Sequence, residues 1–202
     1  MKPIVSVIDT LTEWAKDHIC NEIMLKVPPD NGYAMDAGYS YNLDHPEAIP
    51  MYKPPSDKLP NGIRFATPSL CVFFTRAGDS VATGTGYADI QFLFSVWDPG
   101  EHGEDVYLPN GDGTYRKQTD PNFEKGSSGW RDVWNFVDIA RRALERVTSI
   151  NGMKIDQSTD IEYGPITEQE SVVDFYPYWY SWLSFRLTYP LMRNNEDFEQ
   201  YL

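Results

Sequence analysis

The chain has 202 residues (23.2 kDa), with 30 acidic against 17 basic side chains, a net charge of −13 and an isoelectric point near 4.5. Such a balance excludes a duplex-DNA binder built on clustered Lys and Arg, and a binder of anionic membranes. With 41% apolar and 14% aromatic residues it also excludes a disordered acidic chain, and points to a single domain over residues 1–202 with its own core.

In chain order, Met1 to Leu11 carries one lysine and a short apolar stretch without a small-residue cleavage site, which is not the pattern of a signal peptide. No apolar run nears the roughly 18 residues of a membrane span. The expectation is a protein made and kept in a cytoplasm until it joins something. Thr10 with Glu13 reads as a capping box, and Leu11, Trp14, Ala15, Ile19 and Ile23 recur at helical spacing. This predicts a first helix from Leu11 to Leu25, closed by Pro28 and Pro29. Residues 28–64 hold seven prolines together with Tyr33, Tyr39, Tyr41 and Tyr52. Without any period, they read as a long loop with room for short extended pieces.

Leu70 to Thr75 reads as a strand, Ala77-Gly78-Asp79 as a turn, and Tyr87 to Trp97 as a second strand, antiparallel to the first and covered on both faces. Residues 98–129 form another long polar stretch. Within it, the turn from Pro109 to Thr114 makes a small exposed hairpin of Val106–Leu108 and Thr114–Tyr115. Ser127 and Ser128 cap a second helix with a buried stripe of Trp130, Val133, Trp134, Val137, Ala140, Leu144 and Val147, while Arg131, Arg141, Arg142 and Arg146 lie off it. Ile155 and Ile161 precede a strand at Ser171 to Tyr176. Trp179 to Tyr189 alternates as the last strand, stopped by Pro190 before an acidic tail at 194–202. The order helix, strand, strand, helix, strand, strand predicts an α+β fold: an antiparallel-rich mixed sheet packed with two main helices on one face, and two long loops.

Chemistry-bearing motifs are sparse. Cys20 and Cys71 match no zinc or redox spacing and read as buried thiols, a disulfide being the alternative. His18, His45 and His102 fall in separate elements, and His102 with Asp98, Glu101 and Asp105 reads as a solvated acidic loop. Asn110 to Gly113 lacks the carboxylate ladder of a calcium loop. Gly84-Thr85-Gly86 precedes a strand instead of following one, Gly126 to Gly129 is no nucleophile elbow, and a Walker lysine is missing. The acid pairs Asp156/Asp160 and Glu168/Glu170 are what chance yields in so acidic a chain. The expectation is therefore no catalytic residue, no metal and no cofactor.

The strongest local anomaly is aromatic: eight rings between Phe175 and Tyr189. They suit a stacking platform for a sugar or base, or a strand whose second face stacks on a neighbouring subunit. The acidic surroundings favour the subunit. Residues 130–148 are the positive island, with four arginines against three acids. The candidate subunit-interface residues are thus Arg141, Arg142, Arg146, Tyr178, Tyr180, Trp182, Tyr107 and Tyr115. Loops as long as 28–64 and 98–129 are uncommon unless they bind or drape over something.

Three phrases, "IQFLFSVWDPG" from Ile90, the helix "GWRDVWNFVDIARRALERV" and the strand "DFYPYWYSWLSFRLTYPLMR", carry a likeness over roughly residues 65–193. Over that region the chain resembles the tail terminator, or tail completion, proteins of long-tailed bacteriophages. The resemblance implies helix, strands, helix, strands, and assembly into a ring, usually a hexamer, on the end of the tail tube. It implies as partners the protein itself, the tail tube protein and a neck or head-completion protein, with genomic DNA only as passing cargo. The implied location is the virion tail or neck, after assembly in a host cytoplasm. The alternatives are another neck component (a head–tail connector or tube protein), a two-carboxylate carbohydrate hydrolase, and a carbohydrate-binding module using the aromatics alone.

Overall fold

Helix α1 runs from Ile4 to His18, because its buried stripe of Val7, Ile8, Leu11 and Ala15 begins well upstream of the capping pair. Thr10 and Glu13 therefore lie inside the helix. Burying Val7 and Ile8 contributes about 1.5–3 kcal/mol each, more than the ~1 kcal/mol of a good N-cap. The structure is a computed structural model, described over residues 4–28, 42–98, 100–101, 106–109, 111, 115–118, 124–125, 129–169, 171–173 and 175–191. The predicted end at Leu25 is also corrected. A 3-10 turn (Cys20–Glu22) follows α1, and Ile23 is already extended, leading into strand β1 (Leu25–Val27).

Strand β1 pairs antiparallel with β2 (Asn42–Asp44), and β3 (Glu47–Pro50) runs parallel to β4 (Ser69–Ser80) with Ala48 and Ile49 buried. The expected loop 28–64 thus holds two short strands, one of them part of the core; residues 29–41 lie outside the described ones. Strand β4 pairs antiparallel with β5 (Thr85–Trp97) across Val81 to Gly84. The turn expected at Ala77-Gly78-Asp79 lies inside β4 instead. Gly78 faces Tyr87, whose ring would meet a Cβ there at 2.8 Å, so this glycine serves a close cross-strand approach. The turn proper uses Gly84, at φ +66°.

Four strands follow as two ladders, β6 (Gly100–Glu101) with β9 (Glu124–Lys125) and β7 (Val106–Pro109) with β8 (Tyr115–Gln118). The predicted hairpin is present, and among the described residues these four strands pair only with one another. Ser127 and Ser128 lie outside the described residues. Helix α2 (Gly129–Glu145) buries Gly129, Val133, Phe136, Val137, Ala140 and Leu144. Three positions of the predicted stripe are corrected: Trp130 is 47% exposed, Trp134 is only partly buried, and Val147 lies past the end of the helix and is only partly buried. The inward arc is centred on Gly129, Val133, Phe136 and Ala140, which leaves both tryptophans on its flank and makes Phe136 the large buried ring.

Past α2, β10 (Ser149–Ile150) and β11 (Met153–Ile155) form a tight hairpin across Asn151-Gly152, both at positive φ. Strand β12 (Glu162–Pro165) is followed by a tiny hairpin of β13 (Thr167–Glu168) and β14 (Ser171–Val172). The strand expected at Ser171 to Tyr176 does not join the main sheet, and Phe175 makes only an isolated bridge to Tyr178. Strand β15 (Tyr178–Pro190) matches its prediction to within a residue and pairs with β5 over its full length. The main sheet has the order β10-β11-β15-β5-β4-β3, with β12 beside β15 as well, and among the described residues it is antiparallel except at β3–β4. The fold is α+β, as predicted.

Helix α1 lies over β3 and β4, α2 lies over β5 and β15, and the helices touch each other, so both cover one face. The core between is apolar: Leu70 and Val72, Ile90, Phe92 and Phe94, Leu183, Phe185 and Leu187 are all buried. Phe94 meets Phe136 edge-on at 5.0 Å, and Phe92 meets Phe185 at 5.2 Å. No helix among the described residues is long and apolar enough to cross a membrane.

Candidate functional site

Opposite the helices, alternate residues of the three long strands make a second face. Its rows are Ser69–Ser95–Tyr180, Cys71–Leu93–Trp182, Phe73–Gln91–Ser184 and Arg76–Asp89–Arg186. The segment 51–68, held open by its prolines, crosses one end of this face. Arg64 fixes that segment by ion pairs to Glu47 and Asp44, and its guanidinium stacks on Phe65 at 4.9 Å.

Segment and sheet enclose a cleft of about 690 Å³ lined by Lys53, Pro54, Pro55, Phe65, Tyr178 and Tyr180, among others. At its base the Lys53 amine donates to Ser95 Oγ at 2.8 Å and to the Tyr180 hydroxyl at 3.2 Å. It lies 4.8 Å from the Tyr180 ring centre and 5.7 Å from that of Tyr178. Ser95 Oγ shares a further hydrogen bond with Thr67 Oγ1 at 2.9 Å. Burial disfavours the charged amine and lowers Lys53 from its ordinary 10.5 to about 8. The same cause pushes the Cys71 thiol up to about 12, and raises the Tyr180 phenol. Among the described residues, no carboxylate lines the cleft.

A partly buried ion pair closes the same end of the sheet. Lys26 on β1 meets Asp98 at 2.7 Å, and the Trp179 indole donates to the Asp98 carbonyl at 3.0 Å. Burial, then the charge of Asp98, raises the Asp132 carboxyl on α2. Gly129 packs here so tightly against Trp179 and Asp98 that a side chain has no room.

The predicted interface residues fall in three places. Tyr178 and Tyr180 meet in the cleft. Trp182 sits in the next row, its indole donating to the Pro165 carbonyl at 3.1 Å and so tied to β12. The arginines lie on the helix side. Arg141 pairs with Asp138 at 3.0 Å and stacks on Tyr163 at 4.6 Å, while Arg142 donates to the Asp138 carbonyl at 3.2 Å. Arg142 and Arg146 also line a groove of about 390 Å³ between α2 and α1, shared with Trp14, His18 and Glu22. Tyr107 and Tyr115 belong to β7 and β8 of the arm. The structure does not gather Tyr178, Tyr180, Trp182 and the three arginines at one point.

Cys20 and Cys71 are free and buried, as expected. His18 stacks on Trp14 at 5.4 Å and His45 Nδ1 lies 2.9 Å from the Ile23 carbonyl, while His102 is outside the described residues. Among the described residues, no three His, Cys, Asp or Glu side chains converge as metal ligands do. Asp156 accepts from Ser158 Oγ and N, which lowers its carboxyl, and Asp160 lies beside the Asp89–Arg186 pair in a separate polar hollow. Glu168 is exposed, and Glu170 is outside the described residues. Lys53 was not foreseen: its sequence neighbourhood, Tyr52-Lys53-Pro54-Pro55, carries no period or spacing that marks a site. Compared with models of known protein families and with curated proteins, the chain matches none.

Proposed function

We propose that the protein is a ring-forming structural subunit that terminates the tail tube of a long-tailed bacteriophage and offers a surface to the neck. The observation that carries this reading is the arm of β6 to β9, which follows β5 and precedes α2 in the chain and among the described residues pairs only with itself. An isolated two-stranded ribbon is marginal in water, so it gains order by lying on another surface. Closure of a ring needs a heterologous contact, one patch meeting a different patch on the next copy. The arm segment 98–129 holds seven acids against three bases, and the groove beside Arg142 and Arg146 offers opposite charge. The helix, strands, helix, strands order and the phrases by which the chain resembles tail terminators support the same reading, with the tube protein and a neck protein as further partners.

Light scattering on purified protein, alone and with tube protein, tests it. The expected mass is a fixed multiple of the 23.2 kDa chain. Deleting residues 104–118 should leave a folded monomer that no longer closes, and in infection should give tubes of uncontrolled length or heads without tails. A deletion that assembles normal particles would sink the reading.

A further inference from the structure

We propose that the cleft above Ser95 is a binding site for a small planar carbonyl compound, which Lys53 captures as an imine. The proposal is independent of the tail reading. A volume of about 690 Å³ falls in the range of small-molecule sites, ~300–1,000 Å³. Phe65, Tyr178 and the prolines supply flat apolar walls. As a free base the amine keeps two N–H groups for Ser95 Oγ and the Tyr180 hydroxyl, both already within reach, and leaves its lone pair for an electrophile. Burial brings that free base within reach of mildly alkaline pH, and no described carboxylate lines the cleft to hold the amine charged.

The step balances without an oxidant or reductant. The Nζ lone pair attacks the carbonyl carbon and the carbon–nitrogen bond forms. The carbonyl oxygen takes a proton to give a carbinolamine. Loss of that hydroxyl and of the remaining nitrogen proton, as water, leaves the imine. Tyr180, 3.2 Å from Nζ, is placed to pass the proton from nitrogen to oxygen.

The test uses the whole chain, 4-formylbenzoate as the carbonyl probe and cyanoborohydride to trap the imine, with labelled lysines read by peptide mass spectrometry. Lys58, exposed and in the same segment, is the internal control. At pH 8 about half of Lys53 is free base against ~0.3% of an ordinary lysine, an advantage of roughly 150-fold. The lower nucleophilicity of a weaker base reduces that to about tenfold. Expected are labelling of Lys53 about tenfold faster than Lys58, a rate that levels off above about pH 8, and a severalfold slowing at Lys53 but not at Lys58 in Tyr180→Phe. Equal labelling of the two lysines, or a Lys53 rate that keeps climbing up to about pH 10, would overturn the proposal. Because the contrast is read within the native chain, it stands even if a variant fails to fold.

Discussion

Replacing Lys53 by methionine removes a charge while keeping an unbranched chain of similar length. Burial holds the Lys53 amine at about 8 in the folded protein, against 10.5 when solvated. Below pH 8 both folded and unfolded chains carry the proton, and the folded state bears the whole cost of the buried charge. Between 8 and 10.5 the unfolded chain binds more protons than the folded one, so stability rises with pH; above 10.5 both are neutral and the cost has gone. The gap from 10.5 to about 8 is worth about 3.4 kcal/mol at ~1.36 kcal/mol per pKa unit. Partial solvent contact screens the amine, which brings the expected effect to about 2 kcal/mol. Urea denaturation of both proteins at several pH values measures it. From about pH 7 to about pH 10 the parent should gain about 1.5 kcal/mol relative to Lys53→Met. The Tyr176, Tyr180 and Tyr189 phenols, raised by burial, lower stability above pH 10 in both proteins and largely cancel in the difference. A difference that stays flat over this range would refute the buried-amine reasoning.

Four further outcomes follow from packing. Phe136→Ala removes a fully buried ring that meets Phe94 edge-on and should cost about 3–5 kcal/mol in a thermal or urea melt, more than Trp134→Ala on the flank of the same helix. Trp130→Ser should stay within about 0.5 kcal/mol of the parent, and a large loss would show that this ring is covered. Asp98→Ala removes the carboxylate that Lys26 meets at 2.7 Å and should cost about 1–3 kcal/mol in a urea melt, more than Lys26→Met alone. Gly129→Ala drives a methyl group into the Trp179 indole and to 2.8 Å from Asp98 Cβ, so a melt unchanged from the parent would contradict the packing at that helix start.

The sequence by itself determined the parts that repeat locally. The alternation of Ile90, Phe92, Phe94 and Val96, and of Leu183, Phe185 and Leu187, placed β5 and β15, because a strand buried on at least one face prints its period on every second residue. The apolar recurrence along 130–147 placed α2, and the turn residues after Pro109 placed the arm's hairpin. Only the tertiary structure decided what those periods leave open. The phase of α2 depends on which arc meets Phe94, and bulky tryptophans drew the reading about one side chain off centre. The edge strands β10 to β12 run two to four residues, too short to show a period; β15 offers β11 and β12 a hydrogen-bonding edge and β11 offers one to β10, though Asn151-Gly152 was a legible hairpin signal. Strand β3 was hidden among prolines and is fixed by its parallel neighbour. The Lys53 cleft is the extreme case. Its amine meets Ser95, 42 residues away, and Tyr180, 127 residues away, and a side chain's desolvation is set by whatever the fold brings beside it, which no local pattern encodes.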